Sequence, residues 1–248
     1  MATMRISFRA ESLRKQTNLS IILPDAAETP GPFPVLYLLH GMQGDDTMWT
    51  NATRIRHYVA ELPLIVVMPD GGRSWYTDAR HGLPYETHIV TDVIGFVDRF
   101  FNTIPERRGR ALGGWSMGAY GAAKIGLKYP NLFCSVVASS GVYDFTHLFE
   151  RPDLTDECTL VFGDDPSLGD DNNVFRLAER IDHACLPALR IECGTEDNLL
   201  PGARELHAHL DKLSIPHEYA ELPGIHSLSQ WNPNVPHAIA FHRKALGI

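Results

Sequence analysis

The segment Gly114-Trp115-Ser116-Met117-Gly118 constrains the fold more than any other part of the sequence. A short run at 110–115 leads into the serine, and a stretch of small residues at 119–129 follows it and ends before Pro130. We predict a strand, a tight turn that carries Ser116, and then a helix. A serine in such a turn has a strained backbone, and the crowded chain around it leaves room only for glycine at the flanking positions. We therefore expect a serine hydroxyl at the end of a sheet strand.

The length and composition are ordinary for one globular domain, which can be of the α/β class. The chain has 248 residues, of which 44% are apolar and 21% are charged, so a single domain over 1–248 can bury a large core. The formal net charge is −8, and the one basic cluster is Arg107-Arg108-Gly109-Arg110, which suits a solvated loop. These charges argue against a nucleic-acid partner.

The cysteines and the N-terminal segment predict the cellular compartment of the protein. No C-x-x-C spacing occurs among Cys134, Cys158, Cys185 and Cys193, so we expect no zinc knuckle, no dithiol motif and a reducing compartment. Charged residues interrupt the first 20 residues, which rules out the apolar core of a signal peptide there, and no later run suggests a membrane span. We expect a cytoplasmic protein that does not bind membranes.

Apolar runs and helical spacing predict alternating strands and helices. Two β-like runs, 4–10 and 19–23, should pair antiparallel at a sheet edge, with a proline- and glycine-rich loop at 25–34 after them. The fully apolar run 35–39 suits a strand buried on both faces. The remaining predicted elements are a helix at 47–62, a strand at 64–68, a helix at 86–102, strands at 133–139 and 188–193, a helix at 200–213, a strand at 217–222 and a closing helix. Alternation of this kind implies a mostly parallel sheet with helices on both faces.

The segment 141–186 interrupts the alternation. It is rich in Asp, Gly and Pro and only weakly periodic, and we predict one helix in it, at 174–181. We interpret the segment as an insertion over the C-terminal edge of the sheet, where it can shape a pocket.

Ser116 needs a base, because a serine hydroxyl is a poor nucleophile at neutral pH. Among the twelve histidines, His226 follows the last predicted strand in a loop beside Gly224 and Ser227, and such a loop can bring an imidazole over the serine. The other candidates lie on predicted helices or at the start of a strand; they are His88, His207, His209, His217, His237 and His242. We predict His226 as the base.

A carboxylate is needed to orient that imidazole. Asp197 follows the predicted strand 188–193 within four residues, where a turn can aim it at the edge that carries Ser116. The main rival is Asp144, which follows the preceding strand and is alternatively a turn or helix cap. We favour Asp197, which gives the chain order serine, acid, histidine typical of α/β-hydrolases.

Acyl transfer also needs donors for the developing oxyanion. The backbone N–H of Met117 is one candidate, and the N–H of Met42, in the loop after strand 35–39, is the second. We expect His40 to support this loop by hydrogen bonding rather than to carry a proton. His40 and Gly41 are also candidate substrate-binding residues, because they stand at the strand edge where α/β sheets place their ligands.

Several motifs together resemble the esterase family that includes esterase D, S-formylglutathione hydrolase, tributyrin esterase, and acetyl xylan and feruloyl esterases. The motifs are Leu38-Leu-His-Gly-Met-Gln-Gly44 with Trp49, Met68-Pro-Asp70, Ser74-Trp-Tyr-Thr-Asp78, Gly114-Trp-Ser-Met-Gly-Ala-Tyr-Gly121 and Gly224-Ile-His226. The resemblance covers nearly the whole chain and is strongest to the short tributyrin and acetyl esterases. It implies an α/β-hydrolase fold with a small insertion over the active site.

The resemblance also implies a function. A member of this family would be a serine carboxylesterase that hydrolyses acetyl to butyryl esters, or acetylated sugars, through an acyl-enzyme, without a cofactor or metal. The implied catalytic residues are Ser116, Asp197 and His226, with Met42 and Met117 as oxyanion donors. Trp75 and Tyr76 are implied to lie near the pocket, although ordinary core aromatics would fit the same pattern.

Other interpretations stay open. The same triad would serve a thioesterase of the S-formylglutathione hydrolase type or a feruloyl esterase, and an inactive binding module could keep this fold. The expected partner is a small-molecule ester. The N-terminal edge strands and the resemblance are compatible with a homo-oligomer.

Overall fold

The described part of the chain forms one twisted sheet with helices on both faces. The computed structural model describes residues 1–25 and 30–248, so positions 26–29 of the predicted loop 25–34 lie outside the described residues. The strands are β1 (Ala2–Ala10), β2 (Lys15–Leu23), β3 (Val35–Leu39), β4 (Ile65–Pro69), β5 (Arg110–Trp115), β6 (Ser135–Ser139), β7 (Ala188–Gly194) and β8 (Glu218–Leu222). Their order across the sheet is β1-β2-β4-β3-β5-β6-β7-β8.

The sheet is parallel from β4 to β8 and antiparallel at one edge. β1 pairs with β2, and β2 with β4, in antiparallel register, whereas β3 lies parallel between β4 and β5. The β6, β7 and β8 ladders are also parallel. The predicted edge pair and the mostly parallel sheet are therefore confirmed.

The apolar run in β3 is buried on both faces of the sheet. Val35, Tyr37 and Leu39 pack into the core on one face, and Leu36 and Leu38 pack into the core on the other. A strand alternates its side chains between the two faces, so only an uninterrupted apolar run can serve both cores.

Helices cover both faces of the sheet and run over its C-terminal edge. In chain order they are α1 (Met48–Ala52), α2 (Ile55–Tyr58), α3 (Tyr85–Thr87, the π-helical His88–Val93 and Ile94–Phe100), α4 (Met117–Lys128), α5 (Thr146–Phe149), α6 (Thr155–Phe162), α7 (Gly169–Asn172), α8 (Val174–Arg180), α9 (Leu200–Lys212), α10 (Leu228–Trp231) and α11 (Val235–Leu246). Within residues 1–25 and 30–248, none of them has the length and apolar character needed to cross a bilayer.

The single helix predicted at 47–62 is wrong, because the chain forms two short helices there. Thr53 has an extended backbone, with φ −133° and ψ 171°, and ends α1. Its hydroxyl donates to the Trp49 carbonyl at 2.5 Å and accepts from the Ile55 N–H at 3.1 Å. The hydroxyl thus bonds to the backbone of both helices at the point where the extended Thr53 interrupts the helical ladder.

The insertion 141–186 contains more helix than its weak periodicity indicates. The predicted helix forms as α8, whose cap residue Asn173 accepts from the Phe175 and Arg176 N–H groups. Helices α5, α6 and α7 were not predicted. Helices α5 and α7 have four residues each, which is too short for a helical hydrophobic period to be visible.

Candidate active site

Ser116 occupies a strained turn between β5 and α4. Its backbone has φ 59° and ψ −119°, a conformation that L-residues rarely adopt, and its N–H donates to the Ser139 carbonyl at 3.0 Å. A Cβ at Gly114 would lie 2.1 Å from the Gly118 carbonyl oxygen, and a Cβ at Gly118 would lie 2.3 Å from the Leu39 carbonyl oxygen. Glycine at these two positions therefore allows neighbouring backbone segments to pass close to each other, and this close packing holds the serine in the turn.

Three side chains from three strand ends form a continuous hydrogen-bonded row. The Ser116 Oγ lies 2.9 Å from the His226 Nε2. The His226 Nδ1 lies 2.9 and 3.1 Å from the two oxygens of Asp197. A carboxylate accepts hydrogen bonds, so Nδ1 carries the proton and Nε2 presents a lone pair to the serine hydroxyl. This is the arrangement that allows an imidazole to remove a proton from serine.

The carboxylate of Asp197 is buried and ionised. Its side chain has no exposed surface, whereas that of His226 is 27% exposed. Burial raises the pKa of Asp197, but the hydrogen bonds from His226 and from the Leu199 N–H outweigh burial, so the pKa lies below its ordinary value. A carboxylate that stays ionised stabilises a positive charge on the adjacent imidazole.

Trp115 fixes the plane of the His226 ring. The two rings stack with their centroids 4.5 Å apart and their planes 22° apart. A Cβ at Gly41 would lie 2.9 Å from the same indole, so this glycine permits the loop after β3 to approach Trp115. The imidazole is thus oriented by stacking as well as by Asp197.

The two predicted oxyanion donors belong to the start of α4 and to the loop after β3. Met117 is the first residue of α4, where backbone N–H groups have no partner within the helix. Met42 stands in the loop after β3 and lines the same cavity as Ser116 and His226. Their role as donors stays a prediction.

His40 and Tyr76 lie beneath this loop, out of the cavity. The His40 side chain is 1% exposed, and its Nε2 accepts from the Gly71 N–H at 2.8 Å while its Nδ1 faces the Gly41 carbonyl at 2.7 Å. Tyr76 is fully buried, and its hydroxyl donates to the His40 carbonyl at 3.0 Å. Both ring nitrogens of His40 are engaged within the protein, which is the supporting position expected for this residue.

A cavity of about 510 Å³ opens above the serine. Ser116, His226, Met42 and Trp75 line it. The indole N–H of Trp75 donates to Glu157 of α6 at 3.1 Å, so the insertion holds this wall in place. Of the two predicted pocket aromatics, Trp75 therefore reaches the cavity, and Tyr76 belongs to the layer beneath it.

The insertion and the segment at α9 supply further polar cavity residues. His147, Arg151, Asn198 and Glu205 had no role in the sequence predictions, and Asp144 was the rival acid. All follow strand ends or lie in the insertion over them, which is the only sequence signal that could have selected them. Asp144, the rival acid, accepts from the Thr146 N–H at 2.9 Å and so has the role of a turn residue at α5.

A buried ion pair, also missed in the sequence, ties α4 to the wall of the site. The Lys124 Nζ lies 2.7 Å from Glu86 of α3, and both side chains are at most 2% exposed. The same ammonium donates to the Tyr76 carbonyl and to the Thr77 hydroxyl, each at 2.8 Å. Burial lowers the pKa of Lys124 to about 8 although Glu86 opposes the shift. The sequence feature that could have pointed to this ion pair is Lys124 itself, a charged residue among the small residues of the helix predicted at 119–129.

The sequence matches a known family and curated relatives. The model of the family described as "Putative esterase" matches residues 10–242. The chain is 31% identical to Esterase MT1326 of Mycobacterium tuberculosis (strain CDC 1551 / Oshkosh) over 88% of its own length, but it spans only 54% of that relative. It is 30% identical to an acetyl esterase of Caldicellulosiruptor saccharolyticus, with 98% of this chain and 99% of the relative covered.

Solved structures share the whole fold. The serine hydrolase FphF of Staphylococcus aureus, described as fluorophosphonate-binding, superposes with a TM-score of 0.88 at 26% identity, covering 97% of this chain and 98% of FphF. An S-formylglutathione hydrolase (FrmB) of Staphylococcus aureus gives 0.83 at 26% identity, with coverage of 97% and 98%. These likenesses confirm the predicted α/β-hydrolase fold.

Proposed function

The chain belongs to the esterase family whose model it matches, and we propose that within this family it is a serine carboxylesterase for short acyl esters. The proposal rests on the hydrogen-bonded row of Ser116, His226 and Asp197 at the base of an open cavity. The Ser116 Oγ to His226 Nε2 distance and the shorter His226 Nδ1 to Asp197 distance are both 2.9 Å. An inactive binding module needs only the fold, so it would not need all three of these hydrogen-bonded side chains.

The proposed reaction proceeds in two halves. Ser116 Oγ attacks the ester carbonyl while His226 Nε2 takes its proton, and the charge that develops on the carbonyl oxygen is met by the N–H groups of Met42 and Met117. His226 then gives the proton to the departing alcohol, which leaves an acyl group on Ser116. Water, deprotonated by the same imidazole, releases the acid and restores the serine.

The cavity walls support a small acyl group on a polar alcohol. Trp75, Leu148, Leu154 and Leu199 supply apolar surface, and the polar residues of the insertion and α9 face the same space. A volume of about 510 Å³ exceeds the needs of an acetyl or butyryl group, so we assign the remaining room to the alcohol. An acetylated sugar has this combination of a small acyl group and several hydroxyls.

Ester hydrolysis tests the proposal directly. We expect rapid cleavage of p-nitrophenyl acetate and butyrate, slower cleavage of the octanoate and decanoate, and loss of about 10⁴-fold or more in Ser116→Ala. EDTA should leave the rate of the wild-type enzyme unchanged. Equal rates in the wild type and in Ser116→Ala would refute the proposal, and faster cleavage of the decanoate would refute the small acyl group.

A thioesterase is the second candidate, because a solved S-formylglutathione hydrolase shares the fold at 26% identity. Arg151 in the cavity wall could contact a glutathione carboxylate, although it already pairs with Asp153 at 2.6 Å. Comparing kcat/KM for S-formylglutathione and for acetylated xylose decides between a thiol and a sugar leaving group. A feruloyl ester in the same series tests the remaining candidate, a feruloyl esterase, which would accept a large aromatic acyl group.

The cytoplasmic location and a homo-oligomeric state remain predictions within this proposal. Fractionation of the native host and the mass of the purified protein in solution would test them.

A further inference from the structure

Two histidines and an aspartate meet on the surface at the C-terminal half of α9. His207 and Asp211 are one helical turn apart on this helix, and His217 precedes β8. One ligand atom from each of the three side chains lies within 4.8 Å of the other two. None of the three lines the cavity above Ser116. The trio therefore has no part in the proposed ester hydrolysis.

The two imidazoles face each other through nitrogen atoms. His207 Nδ1 lies 2.8 Å from His217 Nε2. The other nitrogen of His217, Nδ1, lies 2.8 Å from the Ile215 carbonyl, which can only accept, so Nδ1 carries the proton and Nε2 carries a lone pair. A backbone carbonyl that fixes the tautomer in this way is the usual support of a metal-binding histidine.

Packing within the protein holds both rings in these positions. The His207 ring stacks on Tyr219, with centroids 4.1 Å apart and planes 5° apart. Ser214, with φ 56°, turns the chain back sharply after α9, and the buried Ile215 anchors the segment that carries His217. The ligands are therefore preorganised by the fold, which reduces the conformational entropy that binding would cost.

We propose that His207, Asp211 and His217 form a binding site for a divalent transition-metal ion, with Zn²⁺ as the preferred occupant. Two imidazoles and one carboxylate suit Zn²⁺ and disfavour Mg²⁺ and Ca²⁺, which prefer oxygen ligands. In tetrahedral coordination with metal–nitrogen bonds of about 2.0–2.1 Å, the two nitrogens would stand about 3.3 Å apart. Small side-chain rotations are enough to widen the present nitrogen–nitrogen distance to this value.

Binding replaces a proton with the ion. The proton shared between His207 Nδ1 and His217 Nε2 moves to solvent or to the opposite nitrogen of His207, and both facing lone pairs then bind the metal. Asp211, whose carboxylate lies 4.0 Å from His217 Nε2 and is 64% exposed, supplies the third ligand, and water supplies the fourth. The ion would join α9 to the start of β8 and so stabilise the C-terminal part of the fold.

Calorimetric titration of chelator-stripped, untagged protein with ZnCl₂ tests the site. We expect one Zn²⁺ per wild-type chain, and a loss of affinity of about 100-fold or more in His207→Gln and in Asp211→Asn, both of which alter partly exposed side chains. His183→Gln, which changes an exposed histidine outside the trio, should bind like the wild type. Titration with MgCl₂ should give no stoichiometric binding.

Thermal unfolding gives a second readout. Free Zn²⁺ at about one hundred times its Kd should raise the Tm of the wild type by about 5–10 °C and leave that of His207→Gln unchanged. The proposal is overturned if the wild type binds no stoichiometric Zn²⁺, or if His207→Gln and Asp211→Asn bind it as tightly as the wild type. Because the trio lies outside the cavity, these results are independent of esterase activity.

Discussion

Ser116 is held in its position by the backbone rather than by its side chain. Its positive φ is maintained because the N–H donates to the Ser139 carbonyl and because glycine on either side permits close backbone contact. The hydroxyl is thereby left with His226 as its hydrogen-bond partner. The sequence predicted this turn, since the glycine spacing follows from close backbone contacts that a Cβ would block, but it did not predict the buried Lys124–Glu86 pair.

Substitution of the glycines at the turn tests this steric account. Gly114→Ala should destabilise the protein by about 1–3 kcal/mol, because the new Cβ would meet the Gly118 backbone. Gly95→Ala is the matched control, since a Cβ at this position in α3 meets nothing within 4 Å, and it should stabilise by about 0.5–1 kcal/mol. Urea unfolding measures both free energies, and similar effects of the two substitutions would contradict the account.

The choice between the two acids is also tested at the level of single residues. Asp197→Asn should lower kcat by about 10⁴-fold with little change in stability, because the imidazole loses the carboxylate that fixes its tautomer. Asp144→Asn, in the cavity wall without contact to His226, should lower kcat less than about tenfold. A larger effect at Asp144 than at Asp197 would reverse the assignment.

At the scale of elements, the loops after β7 and β8 act as one unit. The Thr195 N–H donates to the Leu222 carbonyl at 2.8 Å, and the Glu196 N–H donates to the Gly224 carbonyl at 3.0 Å. These bonds fix the loop of Asp197 against the loop of His226. The Asp197 and His226 side chains therefore keep their separation although neither residue lies in a helix or strand.

Helix α11 contains a histidine that should govern stability in acid. His242 is fully buried, its Nδ1 lies 2.8 Å from the Ser135 hydroxyl, and its Nε2 has no hydrogen-bond partner among the described residues. Burial lowers its pKa from 6.5 to about 3. Between these values the unfolded chain binds a proton that the folded chain does not, so stability falls as the pH falls.

We expect this residue to remove about 2 kcal/mol of stability between pH 6.5 and pH 5. His242→Gln should lack this contribution and show a correspondingly flatter dependence on pH. His237→Gln, which changes an exposed histidine of the same helix, should keep the dependence of the wild type. Urea unfolding at the two pH values compares the three proteins, and parallel curves for all of them would refute the assignment.

The elements differ in how far the sequence predicted them. Strand β3 was predicted with its exact ends, and the predictions for β4 and β6, which are also buried, differ from the observed ends by one or two residues. An uninterrupted apolar run has few alternatives. The break between α1 and α2 was missed because it depends on one threonine hydroxyl, and α5 and α7 because four residues show no period. Short elements depend on tertiary contacts more than on local pattern.

At the scale of the whole molecule, the parallel sheet assembles the site. Strands β3, β5, β7 and β8 end at one edge, and the residues that follow them are Met42, Ser116, Asp197 and His226. The sequence order and the rule for ligand sites in parallel sheets were enough to predict this convergence, and the predicted family and fold are confirmed. The individual wall residues that the insertion supplies were not predictable, because that segment has no clear period.

In the proposed reaction Ser116 is the nucleophile that receives the acyl group. The most direct test is to treat the protein with diisopropyl fluorophosphate, follow residual esterase activity, and map the modified residue by peptide mass spectrometry. We expect one adduct per chain, located on Ser116, with activity lost in proportion to its formation and no adduct in Ser116→Ala. An adduct on another residue, or full inhibition without modification of Ser116, would contradict it.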